Sequence, residues 1–175
     1  PRRSSDLNVE APSACHERCF TLADGIVQSL FTWRAVAGDA NIHGPKSVAT
    51  PGSVAGLCLM LERYGRMELA DVLAPAIRLA EEGVVPDWYL GLTMAIHAEE
   101  IRRYPDTART YLRNGTEIYR PPFLAEGDLL RQPDLGRSLR LLAAQGPAAL
   151  YRGELGERIV DCVQRGGGWL TREDL

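Results

Sequence analysis

No stretch of this chain carries the roughly 20 consecutive apolar residues that a membrane-spanning helix needs. Pro1 to Glu10 is polar and has no apolar h-region, so no secretory signal is legible there. Neither sign of charge dominates. Twenty Lys and Arg face 23 Asp and Glu, for a formal net charge of -3 and a pI near 5.7. That balance makes no electrostatic case for nucleic acid. Internal repeats and low-complexity tracts are absent. Cysteine is scarce, at four residues in 175, and at this size and spacing no disulfide framework is expected. Cys15, His16 and Cys19 lie close enough to invite a zinc reading. The second ligand pair that such a site needs is missing, so no metal is expected. Cys58 and Cys162 fall on apolar helical faces, where a cysteine behaves as a small buried hydrophobe.

What is present is ordinary for a soluble globular chain: 45% hydrophobic and 25% charged residues. The length matches about one domain and suffices to bury a core. Residues 1–14, without periodicity, read as a disordered or non-native leader. A hairpin follows. Cys19 to Ala23 is the first strand, Asp24-Gly25 the two-residue turn, and Ile26 to Arg34 the return strand. Val27, Ser29, Phe31 and Trp33 then share one face, and Ile26, Gln28, Leu30, Thr32 and Arg34 the other.

Residues 35–50 read as loop, and beyond it the pattern is helical. Val54, Leu57, Cys58 and Leu61 stripe a helix over 53–64. Leu69, Val72, Leu73, Ala76, Ile77 and Ala80 stripe one over 68–82, with Pro75 predicting a kink or break. A third helix spans 87–103, burying Trp88, Leu92, Ala95 and Ile96 and stopped by Pro105. Asp106 is the expected N-cap of a short helix to Leu112. Asn114-Gly115 turns the chain and, with Thr116, forms a glycosylation triplet of little weight. Another helix opens at Pro133, closes before Gly146-Pro147, and carries Leu135, Leu139, Leu142 and Ala143. A helical turn covers 147–151. The last full helix, 154–165, buries Leu155, Ile159, Cys162 and Val163. Thr171 to Asp174 resembles a capping box.

Several segments, in this order, resemble the gamma-glutamyltransferase (gamma-glutamyltranspeptidase) family. They are Ser47-Val48-Ala49-Thr50-Pro51-Gly52-Ser53-Val54-Ala55-Gly56, then Glu62-Arg63-Tyr64-Gly65, then Leu73-Ala74-Pro75-Ala76-Ile77-Arg78-Leu79-Ala80-Glu81-Glu82-Gly83. Leu130-Arg131-Gln132-Pro133-Asp134-Leu135, Tyr151-Arg152-Gly153 and Gly167-Gly168-Trp169-Leu170-Thr171-Arg172-Glu173-Asp174-Leu175 complete the series. Upstream, Phe31-Thr32-Trp33-Arg34-Ala35-Val36-Ala37-Gly38 resembles the family's arginine motif. Ala35 stands where the motif has glutamate, and Gly38 where it has proline.

The resemblance implies an α+β chain: a mostly helical segment of the αββα fold of N-terminal nucleophile hydrolases, with one N-terminal hairpin. Residues 15–175 would form part of the large subunit, an incomplete domain. The implied chemistry is amide cleavage by a threonine that leads a separate small subunit, with γ-glutamyl amides such as glutathione as substrates. No cofactor or metal is implied, and the threonine's own α-amine serves as base, so His16, His43 and His97 need no catalytic role. Arg34 falls on the arginine that grips the α-carboxylate of the γ-glutamyl group. Two alternatives stand beside this: a related acylase acting on oxamate-like or glutaryl amides, and a non-catalytic helical binding module. Glu81-Glu82 and Glu99-Glu100 are poor acid/base pairs, because helix neighbours do not face each other.

Overall fold

The computed structural model describes residues 10–16, 18–28, 32–123 and 125–175. Along the chain the elements are β1 (Leu22–Gln28), β2 (Thr32–Val36), α1 (Ser53–Tyr64), α2 (Leu69–Glu82), α3 (Trp88–Ile96) and α4 (Ala98–Arg102). After these come α5 (Pro105–Tyr111), α6 (Pro133–Gln145), α7 (Ala148–Tyr151) and α8 (Glu154–Arg165). The chain divides into two compact units. One holds the described residues up to Met67 together with Gln145–Leu175, and the other is Glu68–Ala144.

In the first unit β1 and β2 form a two-stranded antiparallel sheet. Asp24-Gly25 is not its turn. Both residues lie inside β1, where the register runs from Leu22 opposite Val36 to Ile26 opposite Arg34. Four steps on β1 meet two on β2, which makes this a bulge, and Gly25 supplies the positive φ of 101° that the bulge needs. The strong turn dipeptide is thus spent on twisting a strand. The expected face residues Ser29, Leu30 and Phe31 lie outside the described residues.

Beyond the sheet, Val160 and Val163 of α8 pack with the fully buried Leu170, and Val48, Ile159 and Leu175 close around them. Cys162 is exposed, contrary to its expected burial. The buried side of α8 is set by Gly156, Val160 and Val163, one residue out of phase with the expected stripe. Glu10 pairs with Thr50, and the Ser13 N–H donates to Asp174 Oδ1 at 2.8 Å.

In the second unit, Val84 and Leu130 exchange backbone bonds of 2.9 and 2.8 Å, joining the end of α2 to the approach of α6. Ile77, Ala80, Met94, Ala108, Leu112 and Leu142 are its main buried residues. α2 runs through Pro75 as one element. The expected long third helix breaks at His97 (φ −98°, ψ 14°). Thr93 Oγ donates to the Tyr89 carbonyl at 2.9 Å, a local bond that competes with the helical ladder. The helical run ends at Arg102, ahead of Pro105 as expected, with Tyr104 extended before the proline. Pro105 also opens α5, at its first position, where its missing N–H costs nothing. Asp106 is therefore inside the first turn, not the cap. The expected buried face of α3 is the outward one: Trp88 and Ile96 are 70% and 66% exposed. Gly91 and Met94 face inward instead, because the backbone at Tyr119 and the Pro121 ring approach closely at Gly91.

The Thr171–Asp174 capping box forms as expected. Burial pushes the Asp174 carboxyl up, but N–H bonds from Ser13 and Thr171 and the Thr171 hydroxyl outweigh it and hold the group at about 2, against an ordinary 3.8. A depressed folded value stabilises above the unfolded value and is lost as pH falls through the folded one. Asp174→Asn should therefore lose stability at neutral pH. It should also show a smaller drop in urea midpoint than the parent between roughly pH 4 and 2. Parallel acid limbs for the two proteins would refute the assignment.

Candidate functional site

Arg34 sits in the middle of β2, opposite Ile26. Residues i and i+2 of a strand share a face, so Arg34 and Val36 point the same way. Val36 is buried and Arg34 is exposed. The arginine therefore stands at the rim of the core-facing side, where that face opens to solvent. Directly opposed antiparallel residues also share a face, which puts Ile26, 64% exposed, beside it. Among the described residues the guanidinium has no ion-pair partner. A free, planar, five-donor cation next to an apolar side chain is a competent two-pronged carboxylate receptor.

The strand is tied at its end. The Ala37 N–H donates to the Thr21 carbonyl at 2.9 Å. Next comes a tight turn with Gly38 and Asp39 at positive φ, and the Ile42 and His43 N–H groups close on the Asp39 carbonyl. A 3-10 turn at Pro45–Ser47 leads to the buried Thr50 and the start of α1. No side chain of α1 caps its own N-terminus. Tyr151 does so from α7. Its hydroxyl donates to the Pro51 carbonyl at 2.6 Å and accepts the Ala55 N–H at 3.0 Å. Burial pushes the Tyr151 phenol up, so it remains a donor at neutral pH. Sequence reasoning placed Tyr151-Arg152-Gly153 among the family-like segments and did not see this cap. A tyrosine three residues before a helix-opening glutamate carries no local hint of a partner nearly a hundred positions away.

Among the described residues no hydrogen bond or ion pair joins the other candidates to Arg34. Cys15 and Cys19 lie with their sulfurs 3.2 Å apart. His16 accepts the Arg18 N–H on Nδ1. Among the described residues no three His, Cys, Asp or Glu side chains are grouped to hold a metal ion. His43 is half-buried in the loop after β2, and His97 is exposed. Glu81 is gripped by both arms of Arg140, at 2.7 and 2.6 Å, beside an open groove of about 560 Å³ between α2 and α6. Glu99 pairs loosely with Arg103. Asp128, also unforeseen, takes three bonds from Arg120, and that hydrogen bonding holds its carboxyl well below the usual carboxylate range.

Fold and site together define a mainly helical α+β segment whose antiparallel hairpin presents an arginine with no ion-pair partner among the described residues. The gamma-glutamyltranspeptidase family model matches residues 5–175, and the chain belongs to that family. It is 42% identical over 135 residues to the acylase ACY 1 proenzyme of Pseudomonas sp. (strain SE83), covering 77% of this chain and 23% of that protein. It is 36% identical over 132 residues to glutathione hydrolase 3 of Arabidopsis thaliana, covering 75% of this chain and 20% of the relative. The crystal structure of Helicobacter pylori gamma-glutamyltranspeptidase superposes with a TM-score of 0.83 at 28% identity, over 97% of this chain and 44% of that one. The chain thus spans less than a quarter of the length of these two curated relatives.

Removing the Tyr151 hydroxyl should cost about 1 kcal/mol, since it strands a carbonyl and an N–H that water partly reaches. In Tyr151→Phe the urea midpoint should fall, and the Ala55 amide should exchange faster with deuterium than in the parent. Unchanged exchange at Ala55 would show that the bridge does not hold the helix start.

Proposed function

We propose that this chain is a large-subunit segment of a γ-glutamyl amide hydrolase or transferase resembling glutathione hydrolase. In this reading the hairpin joins the central sheet of an αββα sandwich, and the helices flank it. A partner small subunit, released by autocleavage of a proenzyme, supplies the threonine nucleophile. The threonine hydroxyl adds to the γ-carbonyl while its own α-amine takes the proton. The α-ammonium returns that proton to the leaving nitrogen, and collapse of the adduct expels the amine and leaves a γ-glutamyl ester. Water or a second amine then takes the γ-glutamyl group and frees the threonine hydroxyl.

The role of this chain is to aim the donor. Arg34 grips the donor's α-carboxylate with two parallel hydrogen bonds and so sets the γ-carbonyl at a fixed reach from the nucleophile. The observation that carries the reading is the exposed guanidinium on β2, without an ion-pair partner among the described residues, at the position that matches the family's arginine motif. Family membership and relatives named as proenzymes support the rest.

A related acylase is the second reading. It is favoured by identities of 41% and 42% to two acylase ACY 1 proenzymes, and by Ala35 and Gly38 in place of the motif's glutamate and proline. Such an enzyme would use Arg34 on a different acyl carboxylate or leave it idle.

Arg34→Lys in the complete gene product keeps the charge and loses the fork. For donors with a free α-carboxylate, kcat/KM should fall by on the order of 2–5 kcal/mol in transition-state stabilisation. Donors without that carboxylate should lose far less. Equal losses for both would make Arg34 a structural residue. The 175-residue chain by itself should not turn over a chromogenic γ-glutamyl anilide. Turnover that survives repurification would overturn the threonine route.

A further inference from the structure

We propose that Cys15 and Cys19 form a reversible dithiol–disulfide site that reacts with small-molecule disulfides of the glutathione type. The two sulfurs are 3.2 Å apart and share a hydrogen bond. A disulfide needs about 2.05 Å, so closing the bond asks for a movement of roughly 1 Å.

The closeness is built in from both sides. The Cys15 N–H bonds to the Pro12 carbonyl at 2.9 Å, and the Cys19 N–H bonds to the His16 carbonyl at 3.0 Å, so successive turns fold the two residues toward each other. Before the pair, the Ser13 N–H is held by Asp174, and Pro12 is buried. After it, the Phe20 ring packs edge-on against Trp169 with centroids 4.9 Å apart. Anchors on each flank hold the thiols together in the folded chain. Both residues are half-buried, not sealed in the core.

A metal is the weaker occupant of this pair. Two sulfurs make half a tetrahedral set, and His16 already uses Nδ1 to accept the Arg18 N–H. The remaining cysteines do not compete. Cys58 lies half-buried on α1, and Cys162 is exposed on α8. Neither has a sulfur partner among the described residues.

The exchange balances in two steps. One cysteine, as thiolate, attacks a sulfur of the external disulfide. An S–S bond forms to the protein and one thiolate of the reagent leaves. The second cysteine, having lost its proton to solvent, attacks the protein sulfur of that mixed disulfide. The Cys15–Cys19 bond forms and the second reagent thiolate leaves. The protein dithiol is oxidised by two electrons, and the external disulfide is reduced to two thiols. The bridge would close the segment that leads directly into β1. There the Thr21 carbonyl receives the Ala37 N–H, three residues beyond Arg34. The inference stands independently of the threonine chemistry.

The test treats the reduced chain with glutathione disulfide, alkylates the remaining thiols and maps peptides without reduction. Two of the four cysteines should become unreactive to alkylation, and dithiothreitol should restore both. Trypsin cuts after Arg18, so the bridge should appear as peptides 4–18 and 19–34 joined to each other. Cys58 and Cys162 should remain alkylated. In Cys19→Ser, Cys15 should stop as a stable glutathione adduct, and the converse variant should trap Cys19. The link should form several-fold faster in the native chain than in urea. Unresolved adducts on both cysteines, bridges to Cys58 or Cys162 or between chains, or equal rates in urea would each overturn the proposal.

Discussion

The path from Arg34 to α1 depends on one close approach. The Pro45 ring and carbonyl lie against Gly166 and Gly168, so near that a Cβ on either glycine would collide with them. This contact lets the loop after β2 settle against the end of α8. Leu170 then fills the space behind it with no exposed surface, and Val48 reaches the same cluster. The Lys46 ammonium lies 5.5 Å from the centre of the Trp169 ring, and Phe20 meets that ring from its edge. The loop, the lead into β1 and the C-terminal turn are therefore fixed to one another. A larger residue at 168 would push the Pro45 backbone away, because the Cβ would meet a carbonyl and not the end of a flexible side chain.

Electrostatics in the second unit serve the scaffold and not proton transfer. Asp128 takes the Arg120 N–H at 2.9 Å and both arms of its guanidinium, with Arg113 3.5 Å away. A carboxyl held that far below its usual range stays ionised at any physiological pH, so it neither donates nor stores a proton near neutrality. What it does is fasten the ends of the 120–128 loop. Glu81 and Arg140 likewise join α2 to α6 across a groove floored by alanines. Such exposed pairs contribute little stability one by one.

Helix ends were legible in the sequence, and helix faces were legible only in part. Ser53–Tyr64, Pro133–Gln145 and Glu154–Arg165 begin and end where glycine and proline punctuate the chain, because those residues act on the local backbone. A stripe reports a period but not what lies opposite. Leu57, Trp88, Leu92 and Ile96 fit apolar stripes and are exposed, while small residues such as Gly91, Gly136 and Ala108 take the buried positions. Burial here follows from where another segment can come close, and that is a tertiary property. The same limit explains Asp24-Gly25. Its positive φ was foreseeable, but whether that φ makes a turn or a bulge depends on the partner strand.

Arg34 shows how motif and geometry divide the work. Its sequence neighbourhood named the residue, yet nothing in Trp33-Arg34-Ala35 says which way the side chain points. The register decides it. Val36, two residues on, is drawn into the core, and this turns Arg34 onto the same side of β2. The bulge at Gly25 then lets Ile26 meet Arg34 while Leu22 meets Val36, so the shared face grades from buried valine to exposed cation. A carboxylate docking at that rim gives up water on the Ile26 side and keeps it on the other. Partial desolvation strengthens a charge-assisted pair without the full cost of burying it. The same face would serve a γ-glutamyl α-carboxylate or another acyl carboxylate equally well. Under the proposed reading, choice between them would come from groups that contact the rest of the donor, and the hairpin would orient one end of it.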